Sequence, residues 1–326
     1  MKILITGSSG HLGEALMRTL QSSPHQAVGL DLKRGPFTQR VGSVTDQDFV
    51  KESLRGMNAV IHSATLHKPH MVTHTAAEFV ETNITGTLIL LEKAAAAGLT
   101  SFIYTSTTSA FGRALTPPEG APAAWITEEV TPVPRNIYGV TKAAAESLCE
   151  LFHFRTGLPC LVLRTSRFFP EEVDDKRARE SFDDANLKVN ELLYRRGDIE
   201  DMVSAHLLAL ERAPAIGFRR YIISATTPFT RDDLQELRTN PAAVVRRHVP
   251  EFESEYAVRG WKLPNTIDRV YVNELARNEL GWLPRHDFRS AIQRLRAQED
   301  FRSPLARAVG SKGYHSITFS SGPYPV

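Results

Sequence analysis

The chain has 326 residues, of which 42% are hydrophobic and 23% are charged, so it can bury a substantial core as one large domain or two closely packed ones. Its formal net charge of +2 gives no basic field of the kind that nucleic-acid binding requires. The two cysteines are too few for a disulfide framework. With no apparent signal peptide and no apolar run of membrane-spanning length, we expect a cytoplasmic protein without nucleic-acid or membrane partners.

The amino terminus predicts a phosphate-binding turn. A short apolar strand at 2–5 runs into Thr-Gly-Ser-Ser-Gly-His-Leu-Gly at 6–13, where helical apolar spacing begins. Backbone N–H groups at a helix start attract phosphate, and glycines let it approach closely. A second strand at 27–30 ends at Asp31, where an acid can bind the ribose diol of an adenosine. The expected dinucleotide contacts in the turn are Gly7, Ser9, Gly10, His11, Leu12 and Gly13.

The residues after the second strand leave the form of the dinucleotide open. The carboxylate of Asp31 repels a 2′-phosphate and favours NAD. Lys33 and Arg34 follow it and attract such a phosphate, which permits NADP. We favour NAD and keep NADP as the alternative.

Apolar runs alternate with helical periodicity through the first half, which predicts an α/β fold, a doubly wound parallel sheet with helices on both faces. Further strands are expected at 59–62, 102–105 and 161–164, and long helices at 76–97 and 137–154. Ligands bind where the carboxyl ends of such strands meet. That edge is expected to bring together Gly10, Ala64, Thr107 and Phe168.

Tyr138 and Lys142 lie four residues apart, so on a helix both can face one cleft. A neighbouring cation favours a phenolate and moves the pKa of tyrosine from about 10 toward working pH. By itself the spacing is typical of a half-exposed surface pair. The hydroxyl-rich run at 105–109, about thirty residues upstream, gives it chemical meaning.

The second half divides less sharply. The charged stretch from Phe169 to Arg196 predicts an irregular loop or lid on the substrate side. A helix at 201–212, a strand at 221–224 and a final helix at 288–297 follow. We therefore expect a dinucleotide-binding domain at 1–168, a substrate-binding region at 169–302 whose strand near 219–224 returns to the main sheet, and a carboxy-terminal tail at 303–326.

The tail is rich in Ser, Gly and Pro and is either disordered or an arm packed on another subunit. Four side chains favour partial order, namely Tyr314, Ile317, Phe319 and Tyr324.

Two polar clusters have competing interpretations. His62, His67, His70 and His74 have spacings that suit a metal, but no carboxylate or cysteine completes the set, so we expect none. We expect His67, Lys68 and His70 to line a substrate pocket, the alternative being an ordinary loop. Arg195 or Arg196 either anchors an anionic substrate or pairs with Asp198 or Asp201.

Together these motifs resemble the extended short-chain dehydrogenase/reductase family, which includes NAD-dependent sugar epimerases and dehydratases. The resemblance runs from residue 1 to about 295 and implies a Rossmann-like fold. Its parts are 6–13, Asp31, 60–64, 83–87, 104–112, 138–142, Arg164, 198–206, 279–282 and Pro284.

The resemblance implies specific roles. Tyr138 exchanges a proton with the substrate oxygen, Thr107 orients that oxygen, and Lys142 binds the nicotinamide ribose and lowers the pKa of Tyr138. Thr107 takes this role because it lies five residues before Gly112. Further cofactor contacts are expected at Lys33, Ser43, Val44, Ala64, Thr65, Asn83, Thr105, Ser166 and Phe168, and substrate contacts at His67, Lys68, His70, Thr108, Arg167, Phe169 and Arg196.

The chain also departs from the family. Thr108 and Ser109 stand where dehydratases carry an Asp-Glu pair, so we expect no dehydration. The Asn that holds the diphosphate of nucleotide sugars is missing from 164–170, which disfavours that substrate class. Ser43 replaces the acid that binds the adenine amino group.

The main hypothesis is therefore an NAD(P)-dependent oxidoreductase that transfers a hydride to or from a hydroxyl or keto carbon of a small sugar, sugar acid or similar polyol. The alternative is a sugar or nucleotide-sugar epimerase that retains its NAD and performs no net redox. A third hypothesis, a non-catalytic dinucleotide sensor, is disfavoured because Tyr138 and Lys142 are both present. The family habit also implies a homodimer through the two long helices.

Overall fold

Seven parallel strands form the main sheet of the computed structural model, which describes residues 1–173, 175–313, 315 and 319. The strand order is β3-β2-β1-β4-β5-β7-β8, and a two-stranded sheet of β6 and β9 lies apart from it. The doubly wound α/β prediction is confirmed. The strands are β1 Lys2–Thr6, β2 Gln26–Asp31, β3 Arg40–Val41, β4 Ala59–His62, β5 Ser101–Thr107, β6 Ala124–Ile126, β7 Cys160–Thr165, β8 Phe218–Ile223 and β9 Arg269–Tyr271.

Helices connect the strands and cover both faces of the main sheet. Among the described residues, none of them has both the length and the apolar composition that a membrane crossing requires. The helices are α1 His11–Leu20, α2 Gln47–Ser53, α3 Ala76–Val80, α4 Gly86–Ala96, α5 Ile137–Thr156, α6 Lys176–Ser181, α7 Asp184–Glu191, α8 Ile199–Ile216, α9 Pro241–His248, α10 Phe252–Arg259, α11 Glu274–Leu280, α12 Phe288–Arg296 and α13 Pro304–Val309.

Each face of the sheet carries its own core, because successive residues of a strand point to opposite sides. Ile3 and Ile5 of β1 pack with α1 and α8 on one face. Leu4 packs with α4 and α5 on the other, where Cys149 and Cys160 are buried as free thiols. The strands are therefore held from both sides, and their carboxyl ends share one edge.

Two predicted segments differ from the structure. The helix expected at 76–97 contains a π-helical turn, Glu81–Thr85, between α3 and α4. The stretch from Phe169 to Arg196, predicted as an irregular loop or lid, contains α6 and α7. That prediction was wrong because Val189 is buried as an apolar residue and Glu191 is buried as the partner of two arginines.

The boundary predicted at residue 168 does not divide the main sheet. β8 pairs with β7 along its whole length, so residues on both sides of that boundary build the sheet. Downstream, α13 packs on the α1–α8 face through Leu305, Ala306 and Val309. Of the four side chains expected to anchor the tail, Tyr314, Ile317 and Tyr324 lie outside the described residues.

A buried ion pair connects α5 to β7 beneath the sheet edge. Glu146 and Arg164 are 2% and 3% exposed, and Arg164 Nη2 lies 2.8 Å from Glu146 Oε2. Ser106 Oγ of β5 donates to the same carboxylate at 2.5 Å. Because a guanidinium cannot lose its proton in a protein, Arg164 depends on Glu146 for compensation.

We expect Glu146→Gln to lower the free energy of unfolding by about 3–5 kcal/mol, since it leaves the Arg164 charge buried with a neutral partner. Urea denaturation measures this. The control is Glu52→Gln, which breaks an exposed pair with Arg55 and is expected to cost less than about 1 kcal/mol. Equal losses in the two variants would show that the buried pair has no special role.

Candidate active site

The glycine turn between β1 and α1 is too tight to accept side chains. Gly7 has a φ of 75°, and its N–H donates to the carbonyl of Leu30 at 2.8 Å. A Cβ on Gly13 would lie 2.0 Å from the Gly7 carbonyl oxygen. Gly10 precedes α1 and gives it no side-chain cap, so the first backbone N–H groups of the helix remain available to a phosphate.

Asp31 ends β2 beside this turn. Its Oδ2 accepts a hydrogen bond from Ser9 N at 3.0 Å, and its Oδ1 accepts one from Lys33 N at 2.8 Å. These backbone donors fix the orientation of the carboxylate at the end of β2, where the ribose of an adenosine is bound in such folds. The residues therefore fit the adenosine half of a dinucleotide.

Three side chains meet where β5 ends. Helix α5 places Tyr138 and Lys142 one turn apart, and they are 7% and 2% exposed. The side chain of Thr107, the last residue of β5, lies beside the Tyr138 phenol and lines the same cleft. Lys142 Nζ donates to the Thr105 carbonyl at 2.7 Å and lies 4.1 Å from the centre of the Tyr104 ring. Because both side chains are buried, they are not the half-exposed surface pair that this spacing usually represents.

Burial controls the protonation of both groups. It raises the pKa of Tyr138 to about 12, against a lowering by the neighbouring Thr107 hydroxyl. It lowers the pKa of Lys142 to about 7, against the attraction of Glu146. In the protein without cofactor, the Tyr138 phenol is therefore neutral at pH 7. Burial outweighs the lowering of the Tyr138 pKa that the sequence predicts from the neighbouring Lys142. A bound cation favours the phenolate.

These groups share one cleft of about 1310 Å³, larger than a typical pocket for one small ligand. It accommodates a dinucleotide and a small substrate side by side. Of the residues expected from the sequence, it is lined by Gly7, Ser9, Gly10, His11, Leu12, Gly13, Asp31, Lys33, Ser43, Val44, Ala64, Thr65, His67, Lys68, His70, Thr105, Thr107, Thr108, Tyr138, Lys142, Ser166, Arg167, Phe168 and Phe169.

Asn83 and Arg196 are the two expected residues that do not line this cleft. Asn83 lies in the π-helical turn, where its amide joins Thr65 and Leu66 to Thr141 of α5. Asn83 therefore holds Thr65 and Leu66, which line the cleft, without lining the cleft itself. Arg196 Nε donates to Glu191 at 2.8 Å and its Nη1 to the Phe169 carbonyl at 3.0 Å.

The histidine segment lies against Tyr138. The ring centre of His67 is 6.0 Å from that of Tyr138 and 5.6 Å from that of Phe169. Burial holds the pKa of His67 well below its usual value, so the ring is neutral at pH 7. Among the described residues, no group of three or more His, Cys, Asp and Glu side chains has the geometry of a metal site.

Other cleft residues carried no sequence signal, because they come from distant segments. Glu171 Oε1 lies 2.7 Å from His11 Nε2 and accepts hydrogen bonds from the backbone of Lys312 and Gly313. The carboxy-terminal segment thus lies at the phosphate end of the cleft. Arg269 and Tyr271 of β9 also line the cleft. Of the two arginines considered from the sequence as an anion anchor, Arg195 lines the cleft and Arg196 does not.

Comparison with known proteins agrees with this geometry. The family model described as the NAD dependent epimerase/dehydratase family matches residues 3–223. The chain belongs to this family. The resemblance to the extended short-chain dehydrogenase/reductases is confirmed, and with it the predictions of an enzyme of that type and of NAD as its cofactor.

Curated relatives include a dTDP-glucose 4,6-dehydratase from Streptomyces niveus, 32% identical over 200 residues that cover 54% of this chain and 56% of that protein. The chain therefore spans only about half of that relative. A UDP-glucose 4-epimerase from Corynebacterium glutamicum is 24% identical over 324 residues, which cover 90% of this chain and 94% of the epimerase.

Solved structures show the same fold at low identity. A short-chain dehydrogenase/reductase superfamily protein from Agrobacterium tumefaciens with bound NAD is 22% identical, with a TM-score of 0.62 over 91% of this chain and 98% of that one. A UDP-glucuronic acid 4-epimerase from Bacillus cereus in complex with NAD is 19% identical, with a TM-score of 0.63 over 95% and 99%.

We expect Gly13→Ala to weaken NAD binding at least roughly tenfold and to cost about 1–3 kcal/mol of stability, because the new Cβ forces the turn apart. Calorimetric titration with NAD measures the first effect and thermal unfolding the second. Gly98→Ala is the control, since its Cβ meets open space and only the positive φ of 67° is strained. NAD affinity unchanged in Gly13→Ala would contradict the proposed phosphate turn.

Proposed function

We propose that this protein is an NAD-linked oxidoreductase acting on a hydroxyl or keto carbon of a small sugar, sugar acid or similar polyol. The observation that carries the proposal is that Tyr138, Thr107 and Lys142 are buried together at the end of β5 and line one cleft. A phenol, a hydroxyl and an ammonium are the groups needed to hold one substrate oxygen and move its proton.

In the oxidative direction, Tyr138 Oη as phenolate takes the proton of the substrate hydroxyl, while Thr107 Oγ1 hydrogen-bonds the same oxygen and orients it. In the reductive direction, the neutral phenol donates that proton to the carbonyl oxygen. NAD, when bound, supplies or accepts the hydride. Lys142 Nζ, held by the Thr105 carbonyl, would bind the ribose hydroxyls of the cofactor and, when protonated, would add positive charge beside the phenol.

The dinucleotide site is proposed to hold phosphates at the 7–13 turn and the adenosine ribose at Asp31. Ser43 and Val44 line the cleft near the adenine position. The carboxylate of Asp31 supports NAD over NADP, because it repels a 2′-phosphate. Lys33 leaves NADP as the alternative.

The second candidate is an epimerase that retains NAD and inverts a carbon through a transient ketone. It is supported by the UDP-glucose 4-epimerase relative, which matches over nearly its full length. Against a nucleotide-sugar substrate stands the absence of an Asn at 164–170, and against dehydration stand Thr108 and Ser109. A non-catalytic sensor is disfavoured because the Tyr138–Lys142 pair is intact.

The homodimer stays a prediction. It is supported by exposed apolar side chains on the helices concerned, since Val140, Leu151 and Phe154 of α5 are 48%, 44% and 74% exposed. Large apolar side chains at the surface favour a partner subunit.

We expect Tyr138→Phe to lower kcat on the order of 100- to 10,000-fold, with KM and NAD affinity nearly unchanged, because only the proton-transfer group is lost. Steady-state kinetics on a substrate found by screening sugars, sugar acids and polyols for NAD reduction measure this. Tyr256→Phe is the control, since it removes another buried phenol, one that binds Asn190 away from the cleft. Undiminished kcat in Tyr138→Phe would refute the mechanism.

A second measurement distinguishes an oxidoreductase with net redox from an epimerase. We expect the purified protein to exchange NAD freely and to form NADH in proportion to the oxidised product, because the cleft is open enough for both ligands. Native mass spectrometry detects retained cofactor, and absorbance detects NADH. Tightly retained NAD with sugar inversion and no accumulating NADH would favour the epimerase instead.

A further inference from the structure

Two guanidinium groups, those of Arg195 and Arg269, line the cleft although their carboxylate partners do not. Arg195 Nη2 lies 2.6 Å from Glu191 Oε1, and Arg269 Nη1 lies 3.5 Å from Asp268 Oδ2. The positive groups are therefore presented to the cleft, and the negative groups lie behind them.

The partner of Arg195 is shared. Glu191 is fully buried and also binds Arg196, with 2.8 Å between Arg196 Nε and Glu191 Oε2. Although burial raises the pKa of Glu191, the arginines around it lower it to about 2, so it is ionised at neutral pH. One carboxylate compensates only one of two permanent cations, which leaves a positive charge at this wall of the cleft.

Arg195 and Arg269 belong to neighbouring segments. Tyr271 N donates to the Tyr194 carbonyl at 2.9 Å, which joins β9 to the chain that carries Arg195. Burial lowers the pKa of Arg195, but the groups around it raise that pKa by more. These include Tyr194, Tyr271 and Asp268. The two guanidinium groups thus lie within one electrostatic environment.

Neither guanidinium is fully satisfied. The Nε of Arg195 and the Nε of Arg269 are buried and have no hydrogen-bond partner among the described residues. Native proteins rarely leave buried donors unpaired, so such donors indicate a ligand or another function.

This wall continues to the catalytic hydroxyl. Arg269 Nη1 donates to the Leu115 carbonyl at 3.2 Å. Leu115 lines the cleft and belongs to the segment at 108–115, which begins directly after Thr107. A substrate held at Thr107 is therefore in the same cleft as both guanidinium groups.

We infer that Arg195 and Arg269 bind an anionic group of the substrate, a carboxylate or a phosphate, and so select a sugar acid or sugar phosphate over a neutral polyol. The planar guanidinium fork matches both anions. This inference rests on the proposed function for the chemistry at Thr107 and Tyr138, and it adds the substrate class.

The test is calorimetric titration of the NAD-loaded Tyr138→Phe protein with glucose, glucuronate and glucose 6-phosphate. At least one anion binds roughly 10- to 100-fold more tightly than glucose, and Arg195→Met and Arg269→Met each remove most of that difference. Arg195→Lys restores part of it, because the charge remains without the fork. The control is Arg219→Met, which removes an exposed arginine paired with Glu279 outside the cleft and changes nothing.

Tighter binding of glucuronate assigns the site to a carboxylate, and tighter binding of glucose 6-phosphate assigns it to a phosphate. The inference is overturned if glucose binds as tightly as both anions, or if neither anion binds. It is also overturned if anion binding is unaffected in both Met variants. Unchanged NAD affinity shows that a variant is folded. If Arg195→Met does not bind NAD normally, the inference is judged on Arg195→Lys and Arg269→Met. Because the titration needs no turnover, it is readable even if Tyr138 proves not to be catalytic.

Discussion

The burial of one face of α5 against β5 is the constraint on which the site depends. Tyr138, Lys142 and Glu146 follow each other at intervals of four residues, so they form one stripe along the helix. Each meets a different group of β5. Tyr138 lies beside the Thr107 side chain, Lys142 donates to the Thr105 carbonyl, and Glu146 accepts from Ser106 Oγ.

This stripe combines structure and chemistry. Glu146 compensates Arg164 below the sheet edge and also attracts the Lys142 ammonium one turn away. Burial lowers the pKa of Lys142 to about 7 and raises that of Tyr138 to about 12. The same low-dielectric packing that fixes the geometry therefore keeps the phenol neutral, so a phenolate depends on further positive charge from the bound cofactor.

The predictable features were those encoded by local spacing. The 6–13 turn, Asp31 and the Tyr138–Lys142 interval depend on residues close together in sequence, and the parallel sheet that joins them follows from apolar periodicity. Glu171 contacting Lys312, or Arg269 reaching Leu115, depends on packing between segments far apart in the chain. A local sequence pattern does not predict such contacts. Helix α7 was missed because Glu191 resembles a solvent-facing charge until its arginine partners are known.

The family match covers only part of the residues that line the cleft. The family model ends at residue 223, at the last strand of the main sheet. Arg269 and Tyr271, which line the proposed substrate end, come after it. The groups proposed for proton transfer and Arg195 thus lie within the matched residues, whereas Arg269 lies beyond them.

The most direct test of this account is the ultraviolet titration of Tyr138, taken as the difference in tyrosinate absorbance between the wild-type protein and Tyr138→Phe. Without cofactor, the account predicts no ionisation of this phenol below about pH 10, because burial raises its pKa. With saturating NAD⁺, it predicts that the titration moves toward neutral pH. A difference titration that is the same with and without NAD⁺ would contradict the claim that Tyr138 is an acid–base group tuned by the bound nicotinamide.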